Sequence, residues 1–453
     1  MAKTRACPML VLLLPLVAAI LLFYPRWQQR HCPAEEQEYA FVIRSAPHET
    51  AKCHRFEAEA PGTGTVWLYL WRDSTRHEAL PQYGDTIVAR TTIRTNRSIR
   101  SAFAARYLLF PAATHDIPLQ ARLYQRLEAA GLRGDELATT GALTLGYKED
   151  LDNELKHRFQ ASGAAHVLAV SGLHTGILYA LLLGLLTLGG RLKPRYENRL
   201  GRCLLSLIII AVMWAYAWLT GLTPSVVRAV LMVTLVEIGR MLYRQSLSLN
   251  TIAAAAVLIL LVRPSDLYSI SFQLSFAATA AIVLVAKEFE RTIHRQNWKD
   301  TFLGKVLNWV LGTIIISLAA QLGTLPITMH AFGQVSNYFL LTNLFVMPLA
   351  ALLVPFGLVT IALGGSWLGI LVGKGTYALA WLMNHAVGWI EHLPGSTTRV
   401  YIDGWQMLIL YAAMCTGWLA LHPANKKRPG RALWWLVPTA VLAALFCFRF
   451  AKA

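Results

Sequence analysis

The stretch HVLAVSGLHTG, residues 166–176, stands at the front of an apolar run spanning residues 164–190. It sets His166, Ser171 and His174 among residues that otherwise read as a membrane-spanning helix. Polar side chains at that depth cost a few kcal/mol unless something satisfies them. Ser171 and His174, three residues apart, share one helix face. A nucleophile with its base, a metal ligand, the lining of a polar path and plain helix packing all remain open from this stretch alone.

Working outward, the rest of the chain makes the membrane reading general. The sequence has 453 residues, of which 55% are hydrophobic and 15% charged. A water-soluble core cannot hide that share of apolar sequence, so a polytopic α-helical membrane protein is expected. The formal net charge of +17 suggests nucleic acid only until its distribution is examined. Arg191, Lys193, Arg195, Arg199 and Arg202 crowd into one gap between apolar runs. Lys287, Arg291, Arg295, Lys299 and Lys305 fill another, and Lys426, Lys427, Arg428 and Arg431 a third. Short basic loops set membrane orientation, so most of the charge is a topology signal.

Apolar runs near 164–190, 203–221, 224–242, 248–263, 270–286, 306–325, 337–363, 368–391, 405–421 and 432–448 join an N-terminal run at 7–24. Together they give about eleven spans. A cytoplasmic N-terminus then places all three basic loops on the cytoplasmic side and the C-terminus outside. Residues 1–30 read as an uncleaved anchor rather than a signal peptide, because Arg26, Trp27 and Arg30 follow the run where a small-residue cleavage site would stand. Within 337–391, Pro348, Pro355, Gly364 and Gly365 allow broken or re-entrant helices.

Between the first two runs, residues 36–162 carry equal numbers of acidic and basic residues and no spanning run, which predicts an extracytoplasmic domain. YAFVIRS (39–45), TVWLYLW (65–71) and DTIVARTTI (85–93) alternate or are rich in β-branched and aromatic residues, with Pro61-Gly62 and Tyr83-Gly84-Asp85 as turns. A small β-barrel over 36–117 is the natural expectation. Its strand 65–71 puts Trp67, Tyr69 and Trp71 on one face and Val66, Leu68 and Leu70 on the other. Over 118–162, Leu119, Leu123 and Leu127, then Leu151, Leu155 and Phe159, recur at helical spacing and predict amphipathic helices along the membrane surface. Residues 163–453 form the polytopic domain. Of six cysteines, Cys32 and Cys53 fall in the extracytoplasmic segment, where a disulfide is permitted but no spacing fixes it.

Four constellations place polar or helix-breaking residues inside the membrane. The first is Ser171 with His174, flanked by Gly172 and Gly176. The second is GLTPSVVR (221–228), where Pro224 opens a helix and Arg228 lies about a turn in. The third is Ser271, Gln273 and Ser275, and the fourth Gln321, Gly323 and Pro326, followed by His330, Gly333 and Asn343. Polar residues in spans often only bond neighbouring helices, at about 1 kcal/mol each. As chemistry, Ser171 and His174 lack an acid nearby in sequence and an oxyanion pattern. The HExxH and CxxC spacings of zinc sites are missing, as are phosphate-binding glycine patterns, so no catalytic residue, metal or cofactor is expected.

Taken together, these four constellations resemble the ComEC competence family, bacterial inner-membrane proteins that pass incoming single-stranded DNA into the cytoplasm. HVLAVSGLHTGIL, LTGLTPSVVRAVLM (219–232), RPSDLYSISFQLSFAATAAI (263–282) and AAQLGTLPITMHAFGQVSNYFLLTNLFVMPL (319–349) follow the family's signatures in order. The upstream β domain is similar, more loosely, to the family's OB-type domain. Members commonly carry a C-terminal metallo-β-lactamase-like nuclease domain. This sequence ends at Ala453 after its last apolar run, which predicts a form without that domain and without enzymatic activity. NRSIRSAFAARYLLF (96–110) replaces the family's turn-rich Asn-Pro-Gly segment.

The resemblance implies an inner-membrane channel for single-stranded DNA during natural transformation. Partners would be the strand itself, the lipid bilayer, a separate cytoplasmic ATPase or helicase and surface DNA-receptor proteins, with homo-oligomerisation left open. Single strands need aromatic stacking surfaces and cations. Trp67, Tyr69 and Trp71 offer the first, and Arg90, Arg94, Arg97 and Arg100, in an acid-free segment that also holds Arg106, the second. In the membrane, Ser171, His174, Arg228, Gln273, Ser275, Gln321 and Asn343 would line a polar path. Gly172, Gly176, Pro224, Gly323 and Pro326 would let helices pack or part. The rivals are a small-molecule or ion transporter with an extracytoplasmic lid, and an intramembrane hydrolase using Ser171 and His174.

Overall fold

The computed structural model describes residues 12–21, 36–44, 48–49, 53–60, 64–71, 81, 84–96, 99–104, 107–110, 119–168, 170–187, 199–242, 249–293 and 302–421. Cys32, Arg97, Arg106 and the apolar run 432–448 lie outside the described residues, and with Cys32 so does the disulfide expectation. The described residues form two compact units. One holds the chain up to Leu155, Val167–Phe272 and Leu349–Asn384; the other holds Lys156–His166, Gln273–Pro348 and His385 onward.

In the first unit a short apolar helix α1 (Leu12–Leu21) precedes eight strands: β1 (Gln37–Ile43), β2 (His48–Glu49), β3 (Cys53–Ala60), β4 (Gly64–Trp71), β5 (Thr86–Thr91), β6 (Arg94–Asn96), β7 (Ile99–Ala104) and β8 (Leu108–Phe110). They pair in the order β6-β7-β4-β3-β1-β5-β8, with β2 on β3. All pairs are antiparallel except β4 with β7, which run parallel, Tyr69 beside Phe103. The expected closed barrel is corrected here: the strands make an open mixed sheet. The Thr91 hydroxyl donates to the Phe103 carbonyl at 2.8 Å, which brings β5 beside β7 through a side chain rather than a strand ladder. The two-residue periodicity places Phe41, Ile43, Phe56, Ala58, Val66, Leu68, Leu70, Ile87 and Ala102 in one buried core. Trp67, Tyr69 and Trp71 therefore lie on the opposite face.

Three helices follow: α2 (Leu119–Ala129), α3 (Gly134–Leu145) and α4 (Asn153–Ser162). The amphipathic spacing in the sequence does not mark α3, yet it is the most enclosed of the three, buried from Leu137 to Leu145. Beyond its acidic first turn it carries only aliphatic, glycine and threonine residues, and the Thr140 and Thr144 hydroxyls donate back to the helix's own Glu136 and Thr140 carbonyls at 2.7 and 2.6 Å, so this stretch can be buried without an unpaired polar face. Its threonines pack where a larger residue opposite would obstruct them. The Thr139 hydroxyl donates to Asn384 Oδ1 at 2.9 Å, and a Cβ added at Gly357 would come within 2.5 Å of Thr144 Cγ2.

The apolar helices are α5 (Gly172–Leu186), α6 (Arg199–Leu219), α7 (Pro224–Met241), α8 (Leu249–Val262), α9 (Ile270–Ile293), α10 (Phe302–Phe332), α11 (Phe339–Leu363), α12 (Trp367–Glu391) and α13 (Gly404–Leu421). Among the described residues, Leu200–Leu219, Gly304–Phe332 and Phe339–Leu363 are long and apolar enough to cross a membrane; α1, α5, α8 and Ile270–Val285 are shorter apolar helices. The allowance for broken helices over 337–391 is resolved into two 25-residue helices joined by a turn in which Gly364 takes φ 57°. A five-residue 3-10 turn, Pro264–Tyr268, links α8 to α9. Within the first unit, α5, α6 and α7 share a core built on Val170, Leu205, Ile209, Met213, Val226 and Val230.

In the second unit, α10 runs unbroken through Pro326. Gly323 lets it approach α9 closely, since a Cβ there would lie 2.7 Å from Ala281 Cβ. The Tyr411 hydroxyl of α13 donates to the Gly323 carbonyl at 2.8 Å. Two short strands, β9 (Gln334–Ser336) and β10 (Thr397–Arg399), pair antiparallel. Asn337 ties their ends, donating to the Gly395 carbonyl at 2.7 Å and to Thr398 Oγ1 at 2.8 Å.

Candidate functional site

Ser171 and His174 come together, but as a helix start. Ser171 is the N-cap of α5 with extended backbone, and its Oγ accepts the Leu173 N–H at 3.3 Å. The Ser171 N–H in turn donates to His174 Nδ1 at 3.0 Å. This is a capping box in which histidine takes the position usually held by Glu or Gln. The hydroxyl also lies 3.3 Å from His174 Nδ1, the approach a hydrolytic dyad would need, yet both atoms already serve the cap. His174 is fully buried. Beside it Gly172 faces Ala229 of α7, with 3.9 Å from an added Cβ to Ala229 Cβ, while a Cβ at Gly176 meets nothing within 4 Å.

Next to Ala229 stands Arg228, 2% exposed. Pro224 occupies the first turn of α7, where its missing N–H costs nothing. The preceding turn holds Gly221 at φ 74° and Leu222 at φ 52°, an uncommon conformation for a residue with a Cβ. From this end of α7, Arg228 Nη2 donates to Ser225 Oγ at 3.1 Å, Ser271 Oγ at 2.7 Å and the Ser271 carbonyl at 3.0 Å. It thereby joins the N-terminal ends of α7 and α9.

The remaining predicted path residues, Gln273, Ser275, Gln321 and Asn343, belong to the second unit. Gln273, Ser275 and Gln321 are half-buried. Asn343 is buried with its Oδ1 unpartnered. So the seven path residues divide between the units, Ser171, His174 and Arg228 in one and these four in the other.

Sequence reasoning missed a second polar cluster in the first unit. Glu237 of α7 is completely buried. It accepts from Tyr179 Oη at 2.6 Å, Ser206 Oγ at 2.7 Å and Arg240 Nη1 at 2.9 Å, so one carboxylate links α5, α6 and α7. The signal was present as Glu237 and Arg240, an opposite-charge pair three apart in an apolar helix, which is costly in lipid unless used.

On the β domain, the aromatic face is built as a surface. Trp71 is 55% exposed and Phe103 51% exposed. Tyr69 stacks on Phe103 at 4.6 Å with planes 15° apart, and the Arg55 guanidinium lies 4.5 Å from the Trp67 ring centroid. Glu57 sits opposite Trp67 in the β3–β4 register, and burial raises its carboxyl pKa above the ordinary value. Arg90 is exposed, and Arg94 and Arg100 lie opposite neighbours on the β6–β7 hairpin.

The family model described as Competence protein matches residues 143–424. The chain belongs to the competence protein family. The match begins inside α3 and covers α4 to α13, including the α5 cap, the Arg228 turn and Gly323. ComE operon protein 3 of Bacillus subtilis (strain 168) is 30% identical over 284 residues, 62% of this chain and 32% of that protein. An uncharacterized protein of Aquifex aeolicus (strain VF5) is 34% identical over 143 residues, 32% of each chain. The uncharacterized protein YcaI of Escherichia coli (strain K12) is 27% identical over 285 residues, 62% of this chain and 35% of that protein. The chain thus spans 32 to 35% of the length of these relatives. No solved structure matches it.

Proposed function

We propose that this protein is a conduit for single-stranded DNA across the bacterial inner membrane during natural transformation. The observation that carries the reading is the family match over 143–424, within which the four polar segments fall in order on apolar helices. The finer topology belongs to the same proposal: about eleven spans, N-terminus in the cytoplasm, residues 36–162 outside and the C-terminus outside. The parallel β4–β7 pair and the Thr91–Phe103 bond support treating the outer domain as OB-like.

In this reading the strand meets the outer domain first. Trp67, Tyr69 and Trp71 stack bases, and Arg90, Arg94, Arg97 and Arg100 attract phosphates. Arg228, Gln273, Ser275, Gln321 and Asn343 then offer exchangeable hydrogen bonds along the membrane path, where binding must be weak enough to release. Ser171 and His174 hold the start of α5 at its entrance. The conduit performs no bond-breaking step. A separate cytoplasmic ATPase or helicase draws the strand, and surface receptor proteins deliver it. The hydrolase alternative needs Ser171 Oγ and His174 Nδ1 for chemistry, and the capping bonds of both atoms favour the conduit.

Binding of a fluorescent oligothymidylate to the full chain tests the outer surface. Changing the four arginines to Glu is expected to weaken binding steeply and flatten its salt dependence by about 0.7 for each phosphate no longer neutralised. Unchanged binding and slope would remove the outer domain from the path.

A further inference from the structure

The two arginines of α7 are treated differently. Arg240 has a carboxylate, Glu237, at 2.9 Å. Arg228, 2% exposed, bonds only to hydroxyls and a carbonyl. It forms no ion pair with any carboxylate among the described residues, although the charge of Asp266 reaches it electrostatically, and its Nε has no partner. A buried cation without a bonded anion is among the costlier arrangements in a protein. Here the cost is compounded, because Arg228 sits at the N-terminal ends of two helices, where the backbone dipoles are already positive. Nor is the start of α7 closed by its own chain: Thr223 makes no capping bond and its buried hydroxyl is unpartnered. Guanidinium, the Ser225 and Ser271 hydroxyls and the helix N-termini meet at a place that lacks one thing, a bonded anion. Ser271 is exposed and Ser225 half-buried, so the serine edge of the place is reachable from outside the helix pair, with the guanidinium buried behind it.

We propose that Arg228, with Ser225 and Ser271 at the starts of α7 and α9, is an oxyanion site that takes a backbone phosphate of the passing strand. This rests on the conduit reading and gives it a defined station. The Ser225 and Ser271 hydroxyls donate to phosphate oxygens, as backbone and side-chain donors do at other helix N-termini, and the guanidinium held behind them supplies the charge. A single arginine among neutral donors attracts a phosphate without the trap that a ring of fixed charges would set.

The test uses the full chain in nanodiscs of uncharged lipid, with two probes. Inorganic phosphate is expected to raise the melting temperature saturably in the wild type and not in Arg228→Gln. Ser271→Ala, which keeps the guanidinium, should weaken phosphate binding several-fold, and Arg228→Lys should retain part of the effect. An oligothymidylate should compete with phosphate, whereas its uncharged methylphosphonate counterpart should not. Arg228→Gln should reduce the salt slope of oligothymidylate binding by about 0.7, the value for one phosphate on a single strand. No saturable phosphate effect in the wild type would overturn the site and leave Arg228 as a brace between α7 and α9. A phosphate effect abolished by phosphatidylglycerol, with the oligonucleotide slope unchanged in Arg228→Gln, would assign the site to lipid headgroups and overturn the strand assignment. A phosphate effect in a wild-type chain that binds no oligonucleotide would also overturn the strand assignment, in that case through failure of the conduit reading rather than of the anion site.

Discussion

Replacing Ser171 separates a helix cap from a nucleophile or a path-lining hydroxyl. Ser171→Ala removes the acceptor of the Leu173 N–H but leaves His174 Nδ1 beside the Ser171 N–H. Half of the capping box disappears, which costs about 1 kcal/mol, within a range of about 0.5 to 2. In a unit of this size that lowers the melting temperature by roughly 2 to 4 °C. Ser171→Asn and Ser171→Asp supply a capping oxygen, and Asp also suits the helix dipole, so both should melt close to the wild type. His174→Gln keeps the reciprocal bond, because glutamine reaches back to the N-cap N–H, whereas His174→Ala removes it together with a buried ring. The assay is thermal unfolding of the full chain in detergent, alongside transformation frequency in cells. The capping account predicts that frequency follows stability, with Ser171→Asn near the wild type. Loss of uptake in Ser171→Asn at an unchanged melting temperature would refute it and return the hydroxyl to chemistry or to direct engagement of the strand.

Three further outcomes follow from the packing and electrostatics. Glu237→Ala leaves Arg240 near a buried site without its carboxylate and should destabilise by about 3 to 5 kcal/mol, while the double change Glu237→Leu with Arg240→Leu should recover most of that loss in chemical denaturation. Gly323→Val drives a side chain into Ala277 and Ala281 of α9 and should cost about 1 to 3 kcal/mol; an unchanged melting temperature would show that α9 and α10 do not pack closely at this glycine. Asp266, in the turn between α8 and α9, has its pKa raised by burial, an effect that Arg263 and Arg228 only partly oppose. Its folded-state pKa therefore exceeds the unfolded value, so its contribution to stability is present below the unfolded pKa and lost as pH rises through the folded one. Asp266→Asn should then flatten that loss and be at least as stable as the wild type at neutral pH, as pH-dependent unfolding would show.

Much of this architecture is legible in the sequence because its strongest signals are one-dimensional. Apolar runs long enough to span mark α6, α10 and α11. Two-residue alternation in TVWLYLW places Trp67, Tyr69 and Trp71 opposite the buried Val66, Leu68 and Leu70. What stays hidden depends on partners far apart in the chain. The enclosure of α3 comes from Gly357 and Asn384, more than two hundred residues away, and nothing in GDELATTGALTL names them. The Ser171–His174 cap is obscured because histidine stands where the usual pattern has Glu or Gln, so a local device resembles a catalytic pair. The sheet does not close because the approach of β5 to β7 rests on one Thr91 hydroxyl, and strand alternation carries no information about closure. Glu237 escapes notice although an acid in an apolar helix is itself a warning; its meaning emerges only when Tyr179 and Ser206 arrive from two other helices.

Passage of a DNA strand through the membrane can be followed directly in cells. The direct measurement deletes the chain and follows labelled double-stranded DNA from surface binding to arrival in the cytoplasm. The account predicts that surface-bound label persists while cytoplasmic single-stranded label disappears, and that the full chain restores it. Normal cytoplasmic arrival in the deletion strain, or loss confined to surface binding, would contradict it.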